Sequence, residues 1–184
     1  MAAVYPHKHQ TDIHEWHKMG EAGVFNHRAV ELIEGEILDK PPITVNHAGH
    51  LKRLSHYFYS LIVNKAIISI KNPVQLNRFS EPEPDLMLLK PCEDFYSSRY
   101  PTADNVLLLI EISDTTLNFD QTQKLRLYAK HQIPEYWILN LNHICLEIYR
   151  EPFGELYKEK RTLHTGELNL LQLPDVTISI LAIL

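Results

Sequence analysis

Only two cysteines, Cys92 and Cys145, occur among 184 residues. A disulfide scaffold or a zinc ribbon needs more, so at most one bridge could form and a reducing, cytoplasmic setting is expected. Glycine is scarce as well, at six residues. There is no Gly-rich phosphate loop, no nucleophile-elbow serine and no Cys-x-x-Cys pair, which removes the common nucleotide cradles and the hydrolase triad. Long apolar runs are also missing. The longest, Val106–Ile112 and Val176–Leu184, fall far below the roughly 20 residues that span a bilayer, so no membrane partner is expected. The opening MAAVYPHKHQ has no apolar stretch of the kind a secretory signal carries. Excess positive charge is lacking too. The formal net charge of −5 argues against a general polyanion binder. It does not exclude a nuclease, whose metal site itself gathers carboxylates.

What remains is a chain with 45% hydrophobic residues. That length buries about 70% of its unfolded surface, enough for one core without staples. One domain over residues 1–184 is expected, with residues 1–11 as a candidate mobile lead-in. Glu31–Ile33 and Glu36–Asp39 read as two short strands reversing at Gly35. Leu51, Leu54, Phe58 and Leu61 recur at spacings of three and four, which is one helical face, with Asn46 at or near its N-cap. Ala66–Ile70, Asp85–Leu89, Val106–Ile112 and Glu135–Leu141 read as strands. Between the last two, Asp120–His131 reads as a helix capped by Asn118 or Asp120. His143–Tyr149 and Glu155–Leu163 add antiparallel strands. The fold class is therefore α+β (mixed α/β), a central sheet with one helix before it and one inserted between strands.

Glu111 stands out because Leu107, Leu108, Leu109, Ile110 and Ile112 surround it in sequence. An ionised carboxylate in such a run is costly unless it is paired or holds a cation. A strand-end glutamate reaching solvent, or a buried salt bridge, is the plainer alternative. Asp85 follows Pro84 at the mouth of a strand, where proline supplies no backbone donor. Two acids converging there would form a hard-oxygen site suited to Mg²⁺ or Mn²⁺. A turn-forming Asp is the bland alternative. On the following helix, residues 117, 121, 124, 128 and 131 share a face that includes Leu117 and Tyr128. Lys124 on that stripe is expected to point inward, toward acids, or to snorkel along the surface. His7, His9, His14 and His17 crowd the start without an evident full ligand set. Tyr136 and Trp137 read as core. Lys158, Lys160 and Arg161 read as a solvated face rather than a nucleic-acid patch.

The ordered set is more specific than any member. ELIEGE (31–36), a helix opening with His47, Pro84-Asp85, Glu111-Ile112-Ser113, Asp120-x-x-x-Lys124, and Tyr128 leading to Ile133-Pro134-Glu135-Tyr136-Trp137 follow in sequence. This pattern resembles the Uma-two family, grouped with restriction endonucleases in the PD-(D/E)-x-K nuclease superfamily, from about residue 12 to about 180. The resemblance implies a restriction-endonuclease-like central mixed sheet flanked by helices, with additional antiparallel strands. It implies that Asp85 and Glu111 hold Mg²⁺ (or Mn²⁺) with the carbonyl of Ile112, and that Asp85, Glu111 and Lys124 are catalytic. Glu31 would complete the shell directly or through water, and His47 would orient an acid or contact phosphate. DNA is the implied substrate and a homodimer the implied assembly. One residue departs from the superfamily pattern. Its usual lysine falls at position 113, which here is Ser113, so Lys124 would take over from the helix. A non-catalytic binding protein on the nuclease fold, or a phosphodiesterase for another substrate, is the alternative. The apolar end Val176–Leu184 is expected to be buried, in the core or in a dimer interface.

Overall fold

A computed structural model describes residues 8–184. His7 and the first part of the 1–11 lead-in lie outside the described residues. Contacts divide the chain into two compact units, Met1–Pro42 with Gln75–Pro82, and Ile43–Val74 with Glu83–Leu184.

In the first unit, helix α1 (Ile13–Glu21) starts at a capping box: Asp12 accepts from the Glu15 N–H, and the Glu15 side chain returns the bond. Strands β1 (Val30–Ile33) and β2 (Glu36–Asp39) pair antiparallel, Ile33 opposite Glu36. The two-residue loop has Glu34 at φ +49° and Gly35 at φ +80°. Both left-handed positions suit a hairpin turn that follows the twist of its strands. Glycine is required at the second, because a Cβ there would lie 2.7 Å from the Cβ of Gln10. Thr11 is tied beside it by its N–H to the Gly35 carbonyl.

The second unit is built on a six-stranded sheet. Helix α2 (Val45–Leu61) precedes it, capped by Thr44, whose hydroxyl accepts the His47 N–H at 3.1 Å; Asn46 lies one residue inside the helix. The strands are β3 (Ile67–Ile70), β4 (Leu86–Leu89), β5 (Val106–Ser113), β6 (Glu135–Asn140), β7 (Cys145–Phe153) and β8 (Leu156–Leu163), and they lie in that order. All pairs are antiparallel except β5 with β6, which are parallel. A parallel pair needs a crossover, and the helical segment between them supplies it. That segment is α3 (Leu117–Phe119), a π-helical turn (Asp120–Lys124) and α4 (Leu125–Lys130). Helicity thus starts three residues before Asp120, and neither Asn118 nor Asp120 caps it. A small pair, β9 (Glu167–Asn169) with β10 (Thr177–Ser179), and a last turn, α5 (Ile180–Ile183), complete the unit.

Side chains alternate across the strands. One face of the sheet carries Leu86, Leu88, Leu108, Ile110, Ile112, Trp137, Leu139, Leu146 and Ile148, and packs on Leu54 and Phe58 of α2. Val176, Ile178, Ile180 and Ile183 belong to this same core, so the apolar end is buried within the chain. The opposite face is more polar. It carries Glu111 and Ser113 of β5, Asn140 of β6 and Glu147 of β7, all buried. The architecture is the mixed sheet flanked by helices that the sequence predicts.

Candidate active site

The second unit brings Asp85, Glu111, Ile112, Lys124 and His47 together around the junction of β4 and β5. Pairing of β4 with β5 sets Leu86 opposite Ile110. Continued by two residues, that register sets Pro84 opposite Ile112. Proline has no N–H, so it cannot donate to the Ile112 carbonyl as a ladder partner would. Asp85 fills part of the gap: its Oδ2 accepts the Ile112 N–H at 2.7 Å. In an extended strand a residue's N–H and C=O face the same neighbour. The Ile112 carbonyl therefore faces the same edge as the N–H that binds Asp85.

The other oxygen of Asp85 faces two cations. Nε2 of His47 lies 3.0 Å from Oδ1, and the Lys71 ammonium is paired with the same atom. Burial by itself would raise the pKa of Asp85. The His47 hydrogen bond and the Lys71 charge outweigh it and hold the carboxyl down at about 2. Asp85 is thus an anion in a buried place. Lys71 sits just past β3 with φ +51°, a left-handed turn that a lysine adopts only at some cost. Its own N–H donates to the Asp85 carbonyl at 3.1 Å.

Glu111 is buried on the polar face of β5. Its Oε1 accepts from Lys124 Nζ at 2.9 Å and from the Tyr128 hydroxyl at 2.8 Å. Lys124 is only 5% exposed, so it points inward, as the helical spacing predicts. The stripe itself differs from that prediction. Leu117 is only partly buried, whereas Asp120 is 2% exposed. A π-turn admits one residue more than a regular turn, so the 3.6-residue period fails between residues 117 and 124. Asp120 is docked by the hydroxyls of Ser113 at 2.7 Å and Thr116 at 2.6 Å. Burial raises its pKa, opposed by the Lys124 charge and these hydroxyls. Ser113 thus anchors the helix that carries Lys124. Lys71 and the Tyr128 hydroxyl have no part in the sequence-based site, and Asp120 enters it only as a helix cap and motif residue. Asp120 carried a legible signal, an acid four residues before an inward lysine.

Glu31 is buried on β1 of the first unit. His9 is 3.0 Å from Glu15, and His17 is 2.9 Å from Glu81, so both of these histidines have acidic neighbours. Tyr136 and Trp137 are core. Lys160 reaches Glu147 at 3.1 Å rather than standing alone on the sheet edge.

Among the described residues, no three or more His, Cys, Asp or Glu side chains converge as a ready cage. A pair of carboxylates nevertheless suits Mg²⁺, which keeps several waters and commonly takes one or two carboxylates plus substrate phosphate oxygens. Asp85, just before β4, and Glu111, one residue before the Ile112 whose N–H Asp85 accepts, offer two carboxylates of that kind.

Residues 14–181 match the model of the Uma2 (Uma-two) family, described as "Putative restriction endonuclease". The chain belongs to the Uma2 family. Among solved structures, a crystal structure from Anabaena variabilis described as "a putative nuclease" is similar, with TM-score 0.70 and 17% identity over 85% of this chain and 89% of that one. At that identity the likeness speaks for the fold. No curated protein matches. Membership in Uma2 points to a nuclease, and no helix among the described residues is long and apolar enough to cross a membrane.

Proposed function

We propose that this Uma2 chain is a metal-dependent endonuclease that hydrolyses DNA phosphodiester bonds. The observation that carries the reading is the buried junction of Asp85, Ile112, Glu111 and Lys124. There Asp85 accepts the Ile112 N–H, and the carboxylate of Glu111, the residue before it, holds a lysine. Asp85, Glu111 and the Ile112 carbonyl would hold Mg²⁺ or Mn²⁺. When bound, such an ion polarises the scissile phosphate and lowers the pKa of a bound water.

The chain's own residues do the rest. Asp85 is held ionised by His47 and Lys71, so it offers a full negative charge as a ligand. The Glu111 carboxylate fixes the Lys124 ammonium at 2.9 Å. That preorganised charge would steady the attacking water or the negative charge developing on the phosphate. Tyr128 holds the same oxygen of Glu111, restricting its rotation. His47 orients Asp85 from the first turn of α2. A homodimer, one copy per strand, would suit double-strand cutting.

Calorimetric titration with Mn²⁺ tests the site. Asp85→Asn and Glu111→Gln each remove a hard anionic ligand with little change in shape, and each should weaken binding about tenfold or more. Unchanged affinity in both variants would remove the proposed site. A folded wild type that takes up no Mn²⁺ but binds DNA would favour a non-catalytic binding protein.

A further inference from the structure

Asp85 carries three donors on its two carboxylate oxygens. Oδ2 is taken by the Ile112 N–H, and Oδ1 by His47 and Lys71. Oδ1 has both lone pairs engaged, so a divalent ion that takes Oδ1 must displace His47 or Lys71. The Ile112 N–H belongs to a central strand whose eight residues are all buried, and it cannot withdraw. The His47 side chain is 13% exposed and rooted in α2, and the Lys71 side chain is 23% exposed on a flexible stem. Lys71 also lies just outside β3, at the left-handed residue where the chain leaves the sheet. Of the three, its ammonium has the freest path to water.

We infer that Lys71 is a tethered cation that occupies Oδ1 of Asp85 and gives way when a divalent ion takes that oxygen. This rests on the metal-site reading above. In the metal-free protein the ion pair offsets the cost of a buried carboxylate, which would otherwise be severe. Binding metal then requires breaking that pair, so the apparent affinity is reduced by the fraction of molecules in which Lys71 has already withdrawn. Lys71 is accordingly a positioning residue that sets how much metal the site demands, not a metal ligand.

The test uses the full chain and Mn²⁺. Lys71→Met keeps the aliphatic stem and removes the charge, so it should bind Mn²⁺ about tenfold more tightly than wild type, as expected when a competing state populated about nine to one is removed. Loss of a nearby positive charge alone would also favour a cation, so a second readout is needed. In wild type, acetylation of Lys71 by an N-hydroxysuccinimide ester, followed by peptide mass spectrometry, should speed up at saturating Mn²⁺. Lys90, away from the ion pair, should be unaffected. Equal or weaker Mn²⁺ affinity in Lys71→Met would overturn the inference while leaving the metal site standing. Tighter binding with unchanged Lys71 acetylation would also overturn it, since the lysine would not have moved. Absence of Mn²⁺ binding in both proteins would overturn this inference and the metal site together.

Discussion

Asp85 concentrates three donors on one carboxylate, and this gives it a definite acid dependence. Its ordinary value is 3.8, and the His47 bond with the Lys71 charge overcomes burial to hold it at about 2. A depressed carboxyl contributes stability that is complete above its unfolded value and is lost as pH falls through its folded value. The stability margin of wild type over Asp85→Asn should therefore persist at pH 5 and shrink between about pH 4 and pH 2. Urea denaturation at several pH values would check this, and a margin that grew on acidification would contradict it. At this scale the sequence was informative for acids and poor for their partners. Glu111 was legible because a charge inside a run of five apolar neighbours must be compensated. Asp85 was legible because proline before it ends the ladder. Lys71 was not, since its ion partner lies fourteen residues on and its left-handed turn is made by a lysine rather than a glycine.

Among elements, the helix between β5 and β6 decides where the chemistry sits. Its start is held to the sheet by the Ser113 and Thr116 hydroxyls on Asp120, and its centre by Lys124 and Tyr128 on Glu111. Ser113→Ala removes one donor from a buried carboxylate, which should cost about 1–3 kcal/mol. The denaturation midpoint should fall while Mn²⁺ affinity stays the same. An unchanged midpoint would show that the Ser113–Asp120 bond does not dock the helix. The existence of this helix was legible from its apolar spacing. Its π-turn was not, because any reading by a fixed 3.6-residue period treats the turns as equal. Helix α1 also escaped, although the Asp12 and Glu15 capping box was present in the sequence. The β1–β2 reversal was legible because Gly35 meets a need that no other residue fills at that point.

Over the whole molecule, the strand order follows from hydrophobic pattern. The continuous runs in β5 and β6 mark central strands buried on both faces, and the alternating β8 (Leu156–Leu163) marks an edge. The apolar end was legible as buried, but composition could not say against what; it lies on the α2 side of the sheet, in the main core. That packing leaves the polar face to Glu111, Asp120 and Lys124, where we propose that nucleic acid is cut. Supercoiled plasmid cleavage tests it most directly, comparing wild type, Lys124→Met and the exposed control Lys130→Ala, with Mg²⁺ and with EDTA. Lys124→Met keeps the packing volume and removes one preorganised charge, which typically costs about 100-fold in rate. Wild type and Lys130→Ala should nick and linearise the plasmid in Mg²⁺, folded Lys124→Met should cut roughly 100-fold more slowly, and none should cut in EDTA. Equal rates for wild type and Lys124→Met, or cutting undiminished by EDTA, would contradict the proposal.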